Sequence, residues 1–311
     1  MMSDSNESFY RPPNFILIGI PGLEDVQFWI SIPMCFMYVL TLLGNSAMLA
    51  IILSKESFHK PMYLFLCMMS IIDFAGSCTT TPKILSIFWF KSLDIDFNAC
   101  LVQLFFIHSF TVMESMVLLA MAFDRYVAIC HPLRYTTILT NQTIIRIGIL
   151  AITRAFLITA PCPLLINRLS YCRTNVIAHT YCEHMAVVKI ACTDTTVNQV
   201  YGLTVALLVI AVDTACISFS YVVIVRAVLR LSSKEARRKA FSTCGSHIIV
   251  ILISYILALF SFFTHRFGHI IPLHVHIIFA NLYILIPCMC NPIVYGVKTK
   301  EIRERIVLIF H

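Results

Sequence analysis

The sequence predicts an all-α membrane protein, a seven-transmembrane helix bundle with a short amphipathic eighth helix. Three observations point there. Apolar residues make up 59% of the 311-residue chain and charged residues only 13%, at a mean hydropathy of +0.85, far outside soluble composition. Seven apolar runs reach about 20 residues or more, enough to cross roughly 30 Å of hydrocarbon. Lys and Arg collect in alternate connectors, as the positive-inside bias demands. Length alone would suggest two soluble domains, and the net charge of +7 would suggest nucleic acid. Both readings fail because the basic residues fall between apolar runs.

In chain order, residues 1–26 read as a polar, turn-rich extracellular segment with Pro12-Pro13 and Pro21-Gly22. It has no basic n-region or cleavage site, so the first span serves as the insertion signal. Asn6-Glu7-Ser8 is a glycosylation acceptor on that side. The spans fall at about 27–53, 61–87, 97–131, 143–166, 197–229, 236–263 and 273–296. The third and fifth exceed a minimal crossing, which implies tilt or extension into water. Residues 297–311 form a cytoplasmic tail. Its stretch 299–309 sets Ile302, Ile306 and Ile309 against Lys300, Arg303, Glu304 and Arg305, the pattern of a helix lying on a membrane surface.

Charge sets the orientation. With the N-terminus outside, Lys55, Lys60, Arg125, Arg134, Arg146 and the cluster from Arg226 to Lys239 fall inside, with Lys298, Lys300, Arg303 and Arg305. The outer segments hold Glu24, Asp25, Asp94, Asp96, Glu183 and Asp194. An odd number of crossings then puts the C-terminus in the cytoplasm. Asn141-Gln142-Thr143 also matches the glycosylation pattern but lies inside and should stay bare. Of 13 cysteines, Cys100, Cys172, Cys182 and Cys192 lie on the oxidising side, where disulfides persist. Four cysteines allow three pairings, and spacing does not choose among them. A metal site using His179 and His184 is the competing idea, but zinc wants a better defined ligand pattern.

Polar residues within apolar runs carry the functional argument. Asn45, Asp73, Glu114 and Asn291 must face the bundle interior, because a bare carboxylate in hydrocarbon is costly. Glu114 lies about 21 Å below Cys100 at helical rise, and Asp73 reaches a similar level from the other side. Two acids at one depth can share a cation or a proton; the plainer alternative is a static polar network. The seventh span ends Pro287-Cys-Met-Cys-Asn291-Pro292-Ile-Val-Tyr295. Its prolines free carbonyls, to one of which Asn291 can bond, making either a bistable kink or a fixed one. Near the outer end, His108 sits about 12 Å into the third span, with Thr111, Val112 and Ser115 continuing its face. Arg266 closes the sixth span. It either snorkels to headgroups or turns inward as a permanently charged donor suited to a carboxylate, above Tyr255 as the cavity floor. At the inner end, Asp124-Arg125-Tyr126 terminates the third span.

Nothing supports enzyme chemistry or a cofactor. Ser246 and His247 are adjacent, the wrong geometry for a nucleophile and its base, and no HExxH, phosphate loop or CxxC occurs. A transporter would show broken helices or related halves, and neither is evident. The basic inner face suits anionic lipid or a protein partner.

Taken together, Gly44-Asn45, Pro61-Met-Tyr-Leu-Phe-Leu66, Asp73, MAFDRYVAICHPLRY at 121–135, Ser220-Tyr221, KAFSTCGSH at 239–247 and PCMCNPIVY at 287–295 resemble the rhodopsin-like G protein-coupled receptors. Within them the chain resembles the olfactory receptors of the class I, fish-like branch, in particular family 52. The resemblance covers essentially residues 20–305. It implies disulfides Cys100–Cys182 and Cys172–Cys192. It also implies an inner switch of Asp124, Arg125 and Tyr126, an open state that Tyr221 and Tyr295 help hold with His247 lining the same inner region, and a sodium-like polar centre at Asp73 and Glu114, which Asn45 is expected to join. The family's ligands are small odorants, and in this branch they are often short or medium-chain carboxylic acids. Residues matching Arg266 and His108 meet the carboxylate and the chain. The receptor-wide tryptophan at the pocket floor is replaced by Tyr255, as is usual in this subfamily. The implied partner is the stimulatory olfactory G protein, raising cyclic AMP in the plasma membrane of sensory cilia. A receptor of the same fold for another small lipid or volatile is the alternative.

Overall fold

The computed structural model describes residues 10–54, 56–172, 174–267, 271–299 and 301–305. Asn6, Lys300, Ile306 and Ile309 lie outside these. Among the described residues, seven helices are long and apolar enough to cross a membrane: α1 (Gln27–Leu53), α2 (Pro61–Phe90), α3 (Phe97–Cys130), α4 (Asn141–Ile166), α5 (Thr196–Leu229), α6 (Lys234–Phe267) and α7 (Leu273–Lys298).

Local chemistry sets several ends. Pro61 opens α2 at a position where its missing N–H is harmless. The Asp96 carboxylate accepts from the backbone N–H groups of Asn98 and Ala99, capping α3. The Thr140 hydroxyl does the same for α4 through Thr143 N–H. A break at Ala160, before Pro161, divides α4 into Asn141–Thr159 and Pro161–Ile166. α2 runs past the expected residue 87 to Phe90, and Lys91 ends it in the left-handed region at φ 51°.

α3 is the hub, packing on α2, α4 and α5, while α7 packs on α1, α2 and α6. α6 leans chiefly on α7 and meets α3 and α5 sparsely. Below, "upper" denotes the end that carries the disulfides and "lower" the end that carries Arg125.

The upper end departs from the sequence reading. The segment read as polar and turn-rich contributes strand β1 (Asn14–Leu17). It pairs antiparallel with β2 (Asp94–Asp96) and in parallel with β3 (Val176–Ile177). Phe15, Leu17 and Ile20 are fully buried in a cluster with Phe97, Tyr171 and Ile177. Three chain segments far apart in sequence therefore form one cap, which local composition cannot reveal. At the lower end, residues 301–305 are helical; Ile302 is fully buried against the bundle while Arg303 and Glu304 face out.

Candidate functional site

A cavity of about 220 Å³ opens among α3, α4, α5, α6 and α7, with residues 181–185 of the loop that follows α4 also in its lining. Cys100–Cys182 ties the top of α3 to the loop that roofs it, and Cys172–Cys192 closes that loop on itself. His108, Thr111, Val112 and Tyr255 all line this cavity. The His108 ring faces His184 of the helical turn His184–Lys189 edge-on, with centroids 6.3 Å apart. Gly202 on α5 makes room for the second imidazole, since a Cβ there would meet its Cε1 at 2.9 Å. Glu183 also borders the rim, but its Oε2 accepts from Ala186 N–H at 2.7 Å and caps that turn. Arg266 lies in the last turn of α6, and its side chain is outside the described residues. Its register is clear: Ala258 and Phe262 line the cavity, and a further step of four brings position 266 one turn above Phe262.

Behind the cavity-lining Ser115 and Tyr255 lies a pair that the sequence reading missed. Asp213 of α5, 1% exposed, meets Arg154 of α4 at 3.0 Å through each of its oxygens. Ser115 donates to Asp213 Oδ2 at 2.5 Å, and Tyr255 Oη lies 2.7 Å from Ser115 Oγ. Three helices thus meet at the Ser115 hydroxyl, and α4 joins them through Arg154 and Asp213. The signal was present, because each is a lone charge inside an apolar run. Their partnership across two helices was not.

A smaller cavity of about 40 Å³ lies deeper and is lined by Asp73, Thr111, Glu114 and Cys288. Asn291 Nδ2 donates to Asp73 Oδ2 at 2.9 Å. This corrects the expectation that Asn291 would take a carbonyl freed by proline. Pro292 lacks the N–H that would bond Cys288 C=O, and Asn45 of α1 donates to that carbonyl instead, at 3.0 Å. α1 can come so close because of Gly44: a Cβ there would meet Pro292 Cγ at 2.9 Å. Asn45 therefore serves the carbonyl that Pro292 leaves without a partner, and its amide donates to neither acid.

At the lower end, Arg125 Nη2 pairs with Asp124 Oδ2 at 2.9 Å. The Tyr135 hydroxyl donates to Asp124 Oδ1 at 2.7 Å. Burial and then that carboxylate push the Tyr135 phenol up from its ordinary pKa. Tyr126 Oη contacts His131 Nε2 at 3.0 Å. Tyr221 Oη bonds His247 Nδ1 at 2.7 Å, bridging α5 to α6, and Tyr295 is buried at 2% exposure.

Comparison with known proteins closes the question of kinship. The olfactory receptor family model matches residues 34–311. Human olfactory receptor 52P1 is 59% identical over 309 residues, covering 99% of this chain and 96% of that protein. Human olfactory receptor 52N2 is 54% identical over 307 residues, covering 98% and 96%. Among solved structures, squid rhodopsin superposes with a TM-score of 0.73 at 18% identity, covering 97% of this chain and 91% of that one. The chain belongs to the olfactory receptor family, in its class I 52 group, and is a multi-pass seven-helix G protein-coupled receptor rather than an enzyme.

Proposed function

We propose that this receptor is activated by a small carboxylic acid and couples to the stimulatory olfactory heterotrimeric G protein, raising cyclic AMP. It works in the plasma membrane of sensory cilia, upper end outside. The reading rests on one observation above all: a mostly apolar cavity with two imidazoles in its lining and position 266 one helical turn beyond its wall in register. A guanidinium offers a carboxylate a planar fork of donors, and the apolar wall takes the alkyl chain.

The mechanism is a population shift, which requires the acid to bind the active arrangement better than the resting one. The acid draws the upper end of α6 inward through Arg266. Because α6 touches α3 and α5 sparsely, its lower end swings out. Tyr221 then leaves His247 and approaches Tyr295. Arg125 leaves Asp124 and, with Tyr126, meets the G protein, while Asn291 and Pro292 let α7 follow. A sodium ion, where bound, would be held by Asp73 and Glu114; oxygen donors of this kind suit a hard cation.

Cells carrying the receptor and a cyclic AMP reporter should respond to saturated acids and not to their methyl esters; equal responses would exclude the ionic recognition. Response to uncharged lipids alone would favour the alternative receptor reading, and solute flux in liposomes would favour a transporter. Gly202→Ala should drive the His184 ring into the cavity and weaken acid potency about tenfold, within the 1–3 kcal/mol usual for overpacking. An unchanged dose-response at normal surface expression would show that His184 does not bound the ligand.

A further inference from the structure

The hydroxyls around the inner half of the cavity can be assigned proton by proton. Each hydroxyl has one hydrogen to give and lone pairs to receive. Thr111 gives its hydrogen to Ile107 C=O at 3.0 Å, and Tyr283 gives its own to Thr111 at 3.1 Å. Ser254 donates to Glu114 Oε1 at 3.0 Å. Asp213, gripped through both oxygens by Arg154, is an acceptor, so the Ser115 hydrogen is committed to it. The short contact between Ser115 Oγ and Tyr255 Oη then has only one polarity: Tyr255 donates. Its oxygen keeps lone pairs that can still accept, and Ser115 and Tyr255 both line the cavity.

We infer that the Tyr255 floor accepts hydrogen bonds and offers none, so the preferred ligand is a carboxylic acid bearing a hydroxyl at the end remote from its carboxylate. The Arg154–Asp213 pair acts at a distance here. By fixing the Ser115 proton it fixes the Tyr255 proton, and so sets which ligand chemistry the floor can satisfy. A ketone at the same place would bring a second acceptor against the first and leave both unpaired in an apolar site, which discriminates more strongly than a missing methylene does.

This specificity rests on the proposed acid recognition, and three ligands of equal chain length separate the two ideas: the plain saturated acid, the acid with a hydroxyl on its penultimate carbon, and the acid with a ketone there. In the intact receptor the hydroxy acid should act at about a tenfold lower concentration than the keto acid. Tyr255→Phe removes the acceptor and should bring the pair together by weakening the hydroxy acid. Ser115→Ala removes the oxygen that holds the Tyr255 proton, so the freed hydroxyl can donate. It should bring the pair together by strengthening the keto acid, a gain that loss of structure cannot imitate. Equal potency of the two in the intact receptor, or an unimproved keto acid in Ser115→Ala beside an intact plain-acid response, overturns the inference. Should Ser115→Ala not reach the cell surface, the collapse in Tyr255→Phe decides alone. Silence toward all three acids in the intact receptor overturns the acid reading itself and this inference with it.

Discussion

Arg266→Ala should abolish most of the response to saturated acids, moving the half-maximal concentration up by about a hundredfold while surface expression stays normal. The magnitude follows from removing one charge-assisted, bidentate partner from a carboxylate in an apolar setting, a loss of about 2–5 kcal/mol. Arg266→Gln should recover little, because an amide supplies donors without charge. Arg266→Lys should recover part, because it restores charge without the planar fork. Position 266 lies in the final turn of α6, one helical turn beyond the cavity-lining Phe262. A cyclic AMP dose-response unchanged by Arg266→Ala would remove the carboxylate from the account.

The second large effect concerns stability. Arg154→Met strands Asp213, which is 1% exposed, and a buried carboxylate without its partner costs about 3–5 kcal/mol. The variant should show much reduced surface expression and a clearly lower unfolding temperature in detergent. Asp213→Leu alone should fail in the same way, by leaving the guanidinium unpaired between α4 and α5. The double variant Arg154→Met with Asp213→Leu should recover most of the lost stability, because replacing both charges with apolar groups of similar size is often close to neutral. Its folded cavity would nonetheless have lost the group that receives the Ser115 hydrogen. If Arg154→Met expresses and melts like the unaltered chain, the pair does not hold the floor together.

The parts legible in sequence share a physical reason. Helices in lipid must satisfy their own backbone, so apolar runs and turn residues placed α1 to α7 to within a few residues. Asp73, Glu114 and Asn291 announced themselves because hydrocarbon punishes unpaired polar groups. Partners were harder to read. Asn45 reaches Cys288 C=O where Gly44 lets α1 approach Pro292, a matter of three-dimensional packing, and Asn291 bonds Asp73. Arg154 and Asp213 are 59 residues apart, and each alone looks like an isolated charge. The cap escaped for a different reason. Asn14–Leu17 has no local strand signal beyond alternating Phe15 and Leu17, and its partners, Asp94–Asp96 and Val176–Ile177, are brought together by tertiary structure.

The central claim is that an acid seated in the upper cavity shifts the bundle toward a form that Arg125 presents to a G protein. Nucleotide exchange on a purified stimulatory G protein, driven by purified receptor in lipid discs, measures this without any cellular intermediary. Exchange should accelerate with a saturated carboxylic acid, stay at its basal rate with the methyl ester, and lose the acid-dependent part in Arg266→Ala. An exchange rate indifferent to every acid, from receptor shown to be folded, would contradict it.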